Sequence, residues 1–296
     1  MPEDVQTCPL CRGHKFNRFD RRFFRGYEVI NQICENCGLV FQSPQMTEME
    51  LDDFYSGQYR TIYQGQEEPE VKDLAVQRLR ADWLVDFFGQ YSTEPSRYLD
   101  IGSSSGILLE TFQSAFDCTV KGIEPGDSYR EFAKKRGLNI YKSLRELEKA
   151  EEECFDLISL IHVLEHIQDP VSYLGRLREN HLSAKGKLLI EVPNLFVHDC
   201  FEIAHLFSFT KHTLREVLIQ AGFEVIKVAT HGHPRSLSLN LYITVLAEPA
   251  EDYPSYQVKP EHGVGIKRKL GMLSRRVIQK IFPDRAWIAI NQIIEK

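Results

Sequence analysis

The stretch that decides the fold is Tyr98-Leu-Asp-Ile-Gly-Ser-Ser-Ser-Gly106. Its apolar start predicts a short buried strand, and Gly102 and Gly106 predict a sharp turn from that strand into a helix. Glycine at such a turn permits a positive φ and lets a ligand approach the backbone closely. The first N–H groups of the helix then offer hydrogen bonds to a polar ligand. The stretch therefore predicts a site for a nucleotide-like cofactor.

Length and composition limit what the rest of the chain can be. The 296 residues are enough for one large domain and a small one, and the hydrophobic share of 43% is typical of a soluble globular protein. A net charge of −6 argues against a general binder of polyanions. No apolar run reaches the roughly 18 residues of a membrane-spanning helix, and the start Met-Pro-Glu-Asp lacks the features of a signal peptide. We expect a cytoplasmic location.

The chain divides into four segments. Residues 1–44 carry paired cysteines, residues 45–92 form a linker and a cap helix, residues 93–247 form the cofactor-binding domain, and residues 248–296 form a basic tail. Within the third segment strand-like and helix-like runs alternate, which predicts βαβ units and a mostly parallel sheet. The predicted strands are Tyr98–Ile101, Thr119–Glu124, Asp156–Ile161, Lys187–Val192, Glu224–Ala229 and Leu239–Leu246, with helices around Phe132 and Leu174 and over Thr213–Ala221.

Two CxxC pairs near the start predict a zinc ribbon. Cys8 and Cys11 form the first pair, Cys34 and Cys37 form the second, and 22 residues separate them. Four thiolates fill a tetrahedral zinc site completely, so its role would be structural rather than catalytic. The seven cysteines are an odd number, which also favours metal over disulfides. The alternative is a small core that contains four thiols by chance.

Basic and aromatic residues are interleaved between the two CxxC pairs, over Lys15–Arg25. This pattern occurs in some nucleic-acid binders. It is also typical of a pair of ribbon strands with one exposed face, and we favour that interpretation. A nucleic-acid partner is therefore not expected, but the pattern does not exclude one.

Glu124 strengthens the cofactor prediction. It ends the second predicted strand, 22 residues after Gly102, where a carboxylate can accept hydrogen bonds from both hydroxyls of a ribose. Four further motifs follow in order: Phe155–Pro170, Gly186–Asn194, His205–Leu214 and Ala221–Phe223. A nicotinamide-binding Rossmann domain is the alternative, but the chain lacks the spacing of GxGxxG.

With these motifs the chain resembles the class I S-adenosylmethionine-dependent methyltransferases over residues 70–247. The resemblance implies an α/β fold with a doubly wound, seven-stranded Rossmann-like sheet whose last strand is antiparallel. It also implies a methionine pocket at Asp100, Gly102 and Gly106, a ribose contact at Glu124, an adenine flanked by residues around Leu144, and a sulfonium above Ile161 and His162. Ser104 departs from the family by replacing a common glycine, and its hydroxyl could contact the cofactor carboxylate. Together with the ribbon, the domain resembles bacterial methyltransferases of sugar and cell-surface polysaccharide biosynthesis, which implies a sugar-like acceptor.

Histidines cluster where the chemistry would occur. His162, Glu165 and His166 have i, i+3 and i+4 spacing, which predicts one shared face of a helical turn, and His205 follows later. Imidazoles and a carboxylate can ligate a divalent metal. The arrangement resembles the metal site of small-RNA 2′-O-methyltransferases and the ExxEH motif of ubiquinone-pathway O-methyltransferases. His162 stands where that motif has glutamate, which favours a softer ion than Mg²⁺.

Three interpretations of this cluster remain open. His162 could be a metal-free general base, the cluster could bind a second divalent metal that orients and acidifies a diol, or Glu165 and His166 could only cap a helix. Five more residues are candidates for lining an acceptor pocket: His198, Asp199, His231, His233 and Arg235.

The tail predicts a basic amphipathic helix over residues 259–281. Seven Lys or Arg residues and one acidic residue lie between Lys259 and Lys280, and apolar residues recur at nearly helical spacing. Such a helix packs on its own domain or on a second subunit, which we favour, or lies on an anionic membrane. Trp287, Ile288, Ile290 and Ile293 extend its apolar side. The oligomeric state does not follow from the sequence.

These patterns favour O-methylation of a sugar or other small hydroxylated acceptor. C-methylation of a keto-sugar and RNA methylation with the ribbon as reader are alternatives. A binding module without catalysis is a third, but such a module would have no need for the ribose carboxylate of Glu124.

Overall fold

A seven-stranded sheet forms the centre of the molecule, described here from a computed structural model that covers residues 2–54, 68–150, 154–251 and 256–288. The strands are β4 (Arg97–Ile101), β5 (Thr119–Ile123), β6 (Ile140–Tyr141), β7 (Phe155–Ile161), β8 (Leu182–Pro193), β10 (Phe223–His231) and β11 (Tyr242–Pro249). Their order in the sheet is β10-β11-β8-β7-β4-β5-β6. Neighbours from β8 to β6 are parallel, whereas β11 is antiparallel to both β8 and β10. The predicted doubly wound fold with an antiparallel last strand is confirmed.

Helices alternate with these strands and begin at identifiable caps. Asp169 caps α6 by accepting a hydrogen bond from the N–H of Ser172, and Pro170 occupies the first helical turn, where its missing N–H costs nothing. Thr210 and Thr213 cap α7 reciprocally. The helices are α1 (Glu48–Asp53), α2 (Val71–Gly89), α3 (Ile107–Phe116), α4 (Asp127–Lys135), α5 (Leu144–Ala150), α6 (Pro170–Asn180), α7 (Lys211–Gln220), α8 (Val264–Ile281) and α9 (Pro283–Ala286).

Several predicted boundaries were wrong. β11 begins at Tyr242 rather than Leu239, because Leu239 and Leu241 are buried in a loop cluster that also contains Ala286. β11 also continues to Pro249, so the tail begins two residues later than predicted. The predictions missed β6 and α5, which are short and have little periodic pattern.

The cysteine-containing segment forms a second, four-stranded sheet. Three strands come from this segment: β1 (Phe16–Phe24), β2 (Tyr27–Cys34) and β3 (Val40–Gln42). The fourth, β9 (Phe207–Ser208), comes from the large domain and pairs with β3 through Val40↔Ser208 and Phe41↔Phe207. Buried residues of both parts also share one apolar cluster. The ribbon is therefore continuous with the large domain rather than a separate unit.

The tail packs on its own domain. The N–H of Glu261 donates to the carbonyl of Cys37 at 3.0 Å, and the N–H of Lys259 donates to Glu216 at 2.7 Å. From there α8 runs across the segment that follows β8. Ile290 and Ile293 lie outside the described residues, and no helix among the described residues is long and apolar enough to cross a membrane.

Candidate functional site

The turn between β4 and α3 requires its glycines. Gly102 has φ +79°, and a Cβ at this position would lie 2.4 Å from Cγ2 of Val163. Gly106 has φ +80°, and its Cβ would lie 2.3 Å from Cδ1 of Leu138. Between them Ser104 adopts φ +52°, a left-handed conformation that costs a serine more than a glycine. The turn is therefore fixed both by backbone conformation and by close contact.

Asp100 ends β4 as a buried carboxyl. The hydroxyl of Ser159 donates to its Oδ1 at 2.5 Å, and the hydroxyl of Tyr98 contacts Ser159 at 2.7 Å. Burial raises the pKa of Asp100 to about 7, the Ser159 hydrogen bond opposes that rise, and the charge of Glu124 adds to it. A nearby cation would be stabilised by ionisation of this carboxyl.

Glu124 follows β5 and connects it to the glycine turn. Its Oε2 accepts from the N–H of Ser104 at 2.9 Å, and its Oε1 accepts from the N–H of Gly126 at 2.8 Å. These bonds orient the carboxylate at the carboxyl ends of the strands, where ligands of such sheets bind. A carboxylate has further lone pairs for the hydroxyls of a ribose.

A cavity of about 450 Å³ opens at this edge of the sheet. Its volume is in the range of small-molecule sites. The predicted residues Asp100, Gly102, Ser104, Glu124, Ile161 and His162 line it, and α2 forms the opposite side through Asp73, Val76, Gln77, Arg80, Ala81 and Leu84. Gly106 and Leu144 are not among its lining residues: Gly106 packs against Ala133 and Leu138, and Leu144 packs against the main core. Lys142 lines the cavity instead.

His162 lies at the end of β7, between two carboxylates. Its Nε2 is 3.2 Å from Oε1 of Glu191, and its Nδ1 is 3.4 Å from Oε1 of Glu165. Burial and Arg80 lower the pKa of His162, but the two carboxylates outweigh them and raise it overall. The predicted helical face was wrong, because His162 has φ +57° and only a 3₁₀ turn, Leu164–His166, follows.

Glu191 on β8 is the centre of a buried network that the sequence did not reveal. Oε1 of Glu191 lies 3.1 Å from Nε of Arg80. Oε2 of Glu191 accepts a hydrogen bond from the Thr244 hydroxyl at 2.9 Å and contacts Nε2 of His231 at 3.2 Å. Burial alone would raise the pKa of Glu191, but Arg80 and the two histidines hold it well below its usual range. Trp83 of α2 stacks on His231 with ring centroids 3.7 Å apart. The one available signal was a carboxylate inside an apolar strand.

Glu165, His166 and His205 form a second group, in which Glu165 is buried and the two histidines are half-buried. One ligand atom from each lies within 4.8 Å of the others. His166 Nδ1 contacts the carbonyl of Ala204 at 2.7 Å, and His205 Nδ1 contacts that of Cys200 at 2.9 Å. Metal-binding histidines are typically oriented by such contacts through their other nitrogen. His162 is not part of this group, so the predicted four-residue cluster divides into three residues and one.

The electrostatics of this group differ from those of a helix cap. Glu165 is 1% exposed, and neither of its oxygens has a hydrogen-bond partner among the described residues. Burial opposes ionisation of Glu165, but the neighbouring imidazoles of His162, His166 and His205 lower its pKa to about 2. The capping interpretation was wrong for Glu165, because Asp169 caps α6.

The remaining acceptor candidates are mostly engaged elsewhere. Of the five, Arg235 alone lines the cavity in the described part of the chain. His233 Nε2 contacts the carbonyl of Leu79 at 3.0 Å, and Asp199 forms an ion pair with Arg22. His198 is half-buried, and its loss of contact with solvent lowers its pKa to about 3.

The four cysteines of the ribbon converge. Sγ of Cys8 lies 3.6 Å from that of Cys37, and Sγ of Cys11 lies 3.5 Å from that of Cys34. Tetrahedral zinc with Zn–S bonds of about 2.3 Å places its sulfurs about 3.8 Å apart, so the geometry is compatible with zinc.

Arg21 and Arg22 in the basic stretch of the ribbon form ion pairs with carboxylates. Arg22 contacts Asp20 at 2.7 Å and Asp199 at 2.6 Å, and Arg21 contacts Glu28 at 2.6 Å. Guanidinium groups held by carboxylates are less available to phosphates. The paired contacts favour the structural interpretation of this stretch.

A family model described as a methyltransferase domain matches residues 75–228, slightly more than half of the chain. The fold and the cavity thus define a class I methyltransferase architecture. The chain belongs to this family of methyltransferase domains, and the prediction of an S-adenosylmethionine-dependent methyltransferase is confirmed at the level of family and fold.

Curated relatives match only part of their own length. A ubiquinone biosynthesis O-methyltransferase from Hahella chejuensis is 33% identical over 99 residues, which cover 31% of this chain and 41% of the relative. A protein of the same name from Neisseria meningitidis is 24% identical over 166 residues, which cover 52% of this chain and 63% of the relative. The chain therefore spans about four to six tenths of the relatives it matches.

Solved structures agree in fold. The 1,6-didemethyltoxoflavin-N1-methyltransferase of Burkholderia thailandensis, with bound 1,6-didemethyltoxoflavin and S-adenosylhomocysteine, aligns at a TM-score of 0.54 and 16% identity. The alignment covers 78% of this chain and all of that one. The plantazolicin methyltransferase BpumL in complex with S-adenosylhomocysteine aligns at 0.50 and 14% identity, over 68% of this chain and 94% of that one. At these identities the likeness concerns the fold alone.

Proposed function

We propose that this protein transfers the methyl group of S-adenosylmethionine to a hydroxyl of a small, sugar-like acceptor. The observation that carries the proposal is His162, an imidazole that lines the cavity next to the cofactor residues and contacts a buried carboxylate. In the donor site, Glu124 would accept hydrogen bonds from the ribose, and ionised Asp100 would face the cationic methionine end. Lys142 lies where the adenine is expected. Membership of the methyltransferase-domain family supports S-adenosylmethionine as the methyl donor.

In the reaction, His162 would act as the general base. Its Nε2–H would donate to Glu191, and Nδ1, which lies 3.4 Å from Oε1 of Glu165, would accept the proton of an acceptor hydroxyl that binds on that side of the ring. The acceptor oxygen forms a bond to the methyl carbon as the bond from that carbon to the sulfonium breaks, which leaves neutral S-adenosylhomocysteine. The carboxylates around His162 stabilise the imidazolium that results. Arg235 lines the same cavity and suits an acceptor that carries a phosphate, such as a nucleotide-linked sugar.

The donor is tested by isothermal titration of the full chain with S-adenosylmethionine. We expect binding in the micromolar range, and no heat at high micromolar concentrations would overturn the proposal. The acceptor is tested with methyl-labelled donor and two probes, UDP-glucose and dTDP-rhamnose, followed by product NMR. A methyl ether supports O-methylation. A C-methyl product would support C-methylation instead, and methylation of RNA alone would support the RNA methyltransferase alternative.

The base is tested by His162→Ala. We expect turnover to fall by about 100-fold or more while the donor affinity stays within about twofold. His181→Ala is a matched control, since His181 also contacts a carboxylate, Glu148 at 3.1 Å, but does not line the cavity. Equal losses of turnover and donor affinity would assign His162 a structural role instead.

The Glu165–His166–His205 group fits a divalent metal. A buried carboxylate whose oxygens have no described hydrogen-bond partner, and two imidazoles held through Nδ1, are a ligand set that suits Zn²⁺, Mn²⁺ or Fe²⁺. When bound, such an ion would orient and acidify a diol acceptor. The four cysteines fit a structural zinc.

Metal analysis separates the two sites. We expect one zinc that resists mild chelation, from the cysteines, and one exchangeable ion that Glu165→Gln removes. Glu202→Gln is the control, because Glu202 lies near His205, at 4.0 Å, but outside the group. One tightly held zinc in both the wild type and Glu165→Gln would overturn the second metal and leave His162 as a metal-free base.

A further inference from the structure

Helix α8 exposes a row of apolar residues and turns two arginines, Arg268 and Arg275, toward the protein, the reverse of the arrangement on an ordinary surface helix. Ile266, Leu270, Leu273, Val277 and Ile281 recur every three or four residues, and each is between 47% and 68% exposed. We call these five residues the α8 stripe. Their spacing places them along one face, so they form a continuous apolar strip rather than scattered single residues. Phe282 extends it at the end of the helix.

The opposite face of α8 holds the helix in this orientation. Arg268 donates to the carbonyls of Leu195 and His198, and its guanidinium lies 4.2 Å from the ring centroid of Phe201. Arg275 donates to the carbonyl of Val197 at 2.8 Å. Val264 and Ile278 on the same face pack into apolar clusters. Rotating the helix to bury the α8 stripe would break these contacts. The contacts of the inner face therefore keep the stripe exposed.

Charge indicates what covers the stripe. Residues 264–281 contain six Lys or Arg residues and no Asp or Glu, in a chain whose net charge is −6. Arg268 and Arg275 point inward, whereas Lys269, Arg276 and Lys280 are exposed. On a helical projection these three lie beside the stripe along one edge. An apolar strip with cations along its edge is complementary to a surface that is apolar within and anionic at its boundary.

A second copy of the chain fits this surface poorly. A two-fold interface is formed by the same surface patch on both copies. Two α8 stripes packed together would therefore bring Lys269, Arg276 and Lys280 of both copies into one neighbourhood, with no acidic residue on either helix to compensate. Anionic lipid headgroups instead supply the opposite charge.

We propose that the α8 stripe and its edge of Lys269, Arg276 and Lys280 form a docking surface for an anionic membrane. The helix lies in the plane of the lipid interface, with the aliphatic side chains in the acyl boundary and the cations at the headgroups. The surface lies outside the residues that match the methyltransferase family, so it adds a location to the proposed activity rather than a step in it.

The test is cosedimentation of the full chain with vesicles. The probes are vesicles of equal parts phosphatidylglycerol and phosphatidylcholine, compared with pure phosphatidylcholine. We expect binding to the anionic vesicles that weakens at high salt. Leu270→Ser/Leu273→Ser should reduce the partition coefficient by about tenfold or more, since each removes a buried aliphatic group from the lipid. Lys269→Gln/Arg276→Gln/Lys280→Gln should reduce binding to anionic vesicles to the level of phosphatidylcholine.

Met49→Ser is the matched control, because Met49 is an equally exposed apolar residue on α1, outside the stripe. Thermal melting of each variant shows whether it remains folded. We expect the variants to fold, because the substituted positions are exposed. Equal sedimentation of the wild type with both vesicle types, or unchanged binding of Leu270→Ser/Leu273→Ser, would overturn the proposal. Sedimentation velocity tests whether a second copy of the chain occupies the surface instead. If the wild type forms a dimer and does not bind lipid, and Leu270→Ser/Leu273→Ser dissociates that dimer, the surface belongs to a second copy.

Discussion

The two sides of the cavity, which we propose hold the methyl donor and the acceptor, are built in different ways. The donor side, Asp100 to Gly126, comes from two consecutive strands and the turns that follow them, joined by contacts such as Ser104 N–H to Glu124, with Ser159 and Val163 added from β7 and the turn after it. The acceptor side centres on Glu191, which contacts Arg80, His162, His231 and Thr244 from four separate elements. A local motif can be recognised in a sequence, whereas a network between distant segments exists only after folding. The donor can therefore be read from the chain, and the acceptor cannot.

The largest effect on this comparison is expected from Glu191→Gln. Removing the charge leaves Arg80, whose side chain is 17% exposed at the cavity, without its counter-ion, which should cost about 3 kcal/mol, the lower end of the range for a buried ion pair. We expect the free energy of unfolding to fall by that amount, and turnover to fall with it, because His162 loses its orienting carboxylate. Denaturant titration and steady-state kinetics measure the two losses.

Glu248→Gln is the matched control for Glu191. Glu248 contacts Lys187 at 2.7 Å, but both side chains are partly exposed, so the change should cost less than about 1 kcal/mol. If the two variants were equally stable, the contacts of Glu191 would not be what stabilises the acceptor side.

On the donor side, Gly106→Ala should destabilise the protein by about 3 kcal/mol. A positive φ costs alanine about 1–2 kcal/mol, and the contact with Leu138 adds to that. Gly137→Ala has the same φ penalty, at +88°, with nothing within 4 Å, and should cost only about 1 kcal/mol. Thermal melting of the pair isolates the close contact, and equal costs would show that conformation alone requires Gly106.

A smaller effect is expected from Glu124→Gln. The amide keeps one oxygen for the N–H of Ser104 but loses a charged acceptor for the ribose, so donor affinity should fall by about tenfold or somewhat more. Glu146→Gln is the control, since Glu146 also accepts from a backbone N–H, that of Lys142, without lining the cavity. Titration calorimetry with S-adenosylmethionine compares them, and unchanged affinity in Glu124→Gln would place the ribose elsewhere.

The last effect, that of His198, is smallest at neutral pH and grows only as the pH decreases. Burial, with His205, His162 and Arg275 nearby, lowers its pKa to about 3, against the opposing charge of Asp199. The unfolded chain binds a proton at this residue below about pH 6.5, but the folded protein does not, so stability falls as the pH decreases from there. The contribution is at most about 1.4 kcal/mol per pH unit.

His198→Leu should remove that part of the slope. Denaturant titrations between pH 8 and pH 4 measure it, and the region above about pH 7, where the residue is neutral in both states, is the internal reference. Parallel slopes for wild type and variant at acidic pH would mean that His198 is accessible to protons in the folded protein.

Strand prediction succeeded where burial on both faces produced continuous apolar runs, as at Tyr98–Ile101 and Asp156–Ile161. It failed at Leu239, whose burial comes from a loop that packs against the tail. The helical interpretation of His162–His166 failed for a related reason. Spacing of i, i+3 and i+4 assumes helical backbone, and the structure places His162 in a left-handed conformation before a single 3₁₀ turn.

The sequence by itself determined the order of the motifs along the predicted strands, the glycine turn, the position of Glu124 after the second strand, and the pairing of the four cysteines into two CxxC motifs. These depend on neighbours in the chain, on backbone conformation and on residue type. Only the tertiary structure decided that His162 contacts Glu191, that Glu165 joins His166 and His205 without it, and that α8 turns its leucines outward. Each of these is a contact between segments brought together by packing, and the outward face of a helix depends on which of its sides the rest of the protein holds.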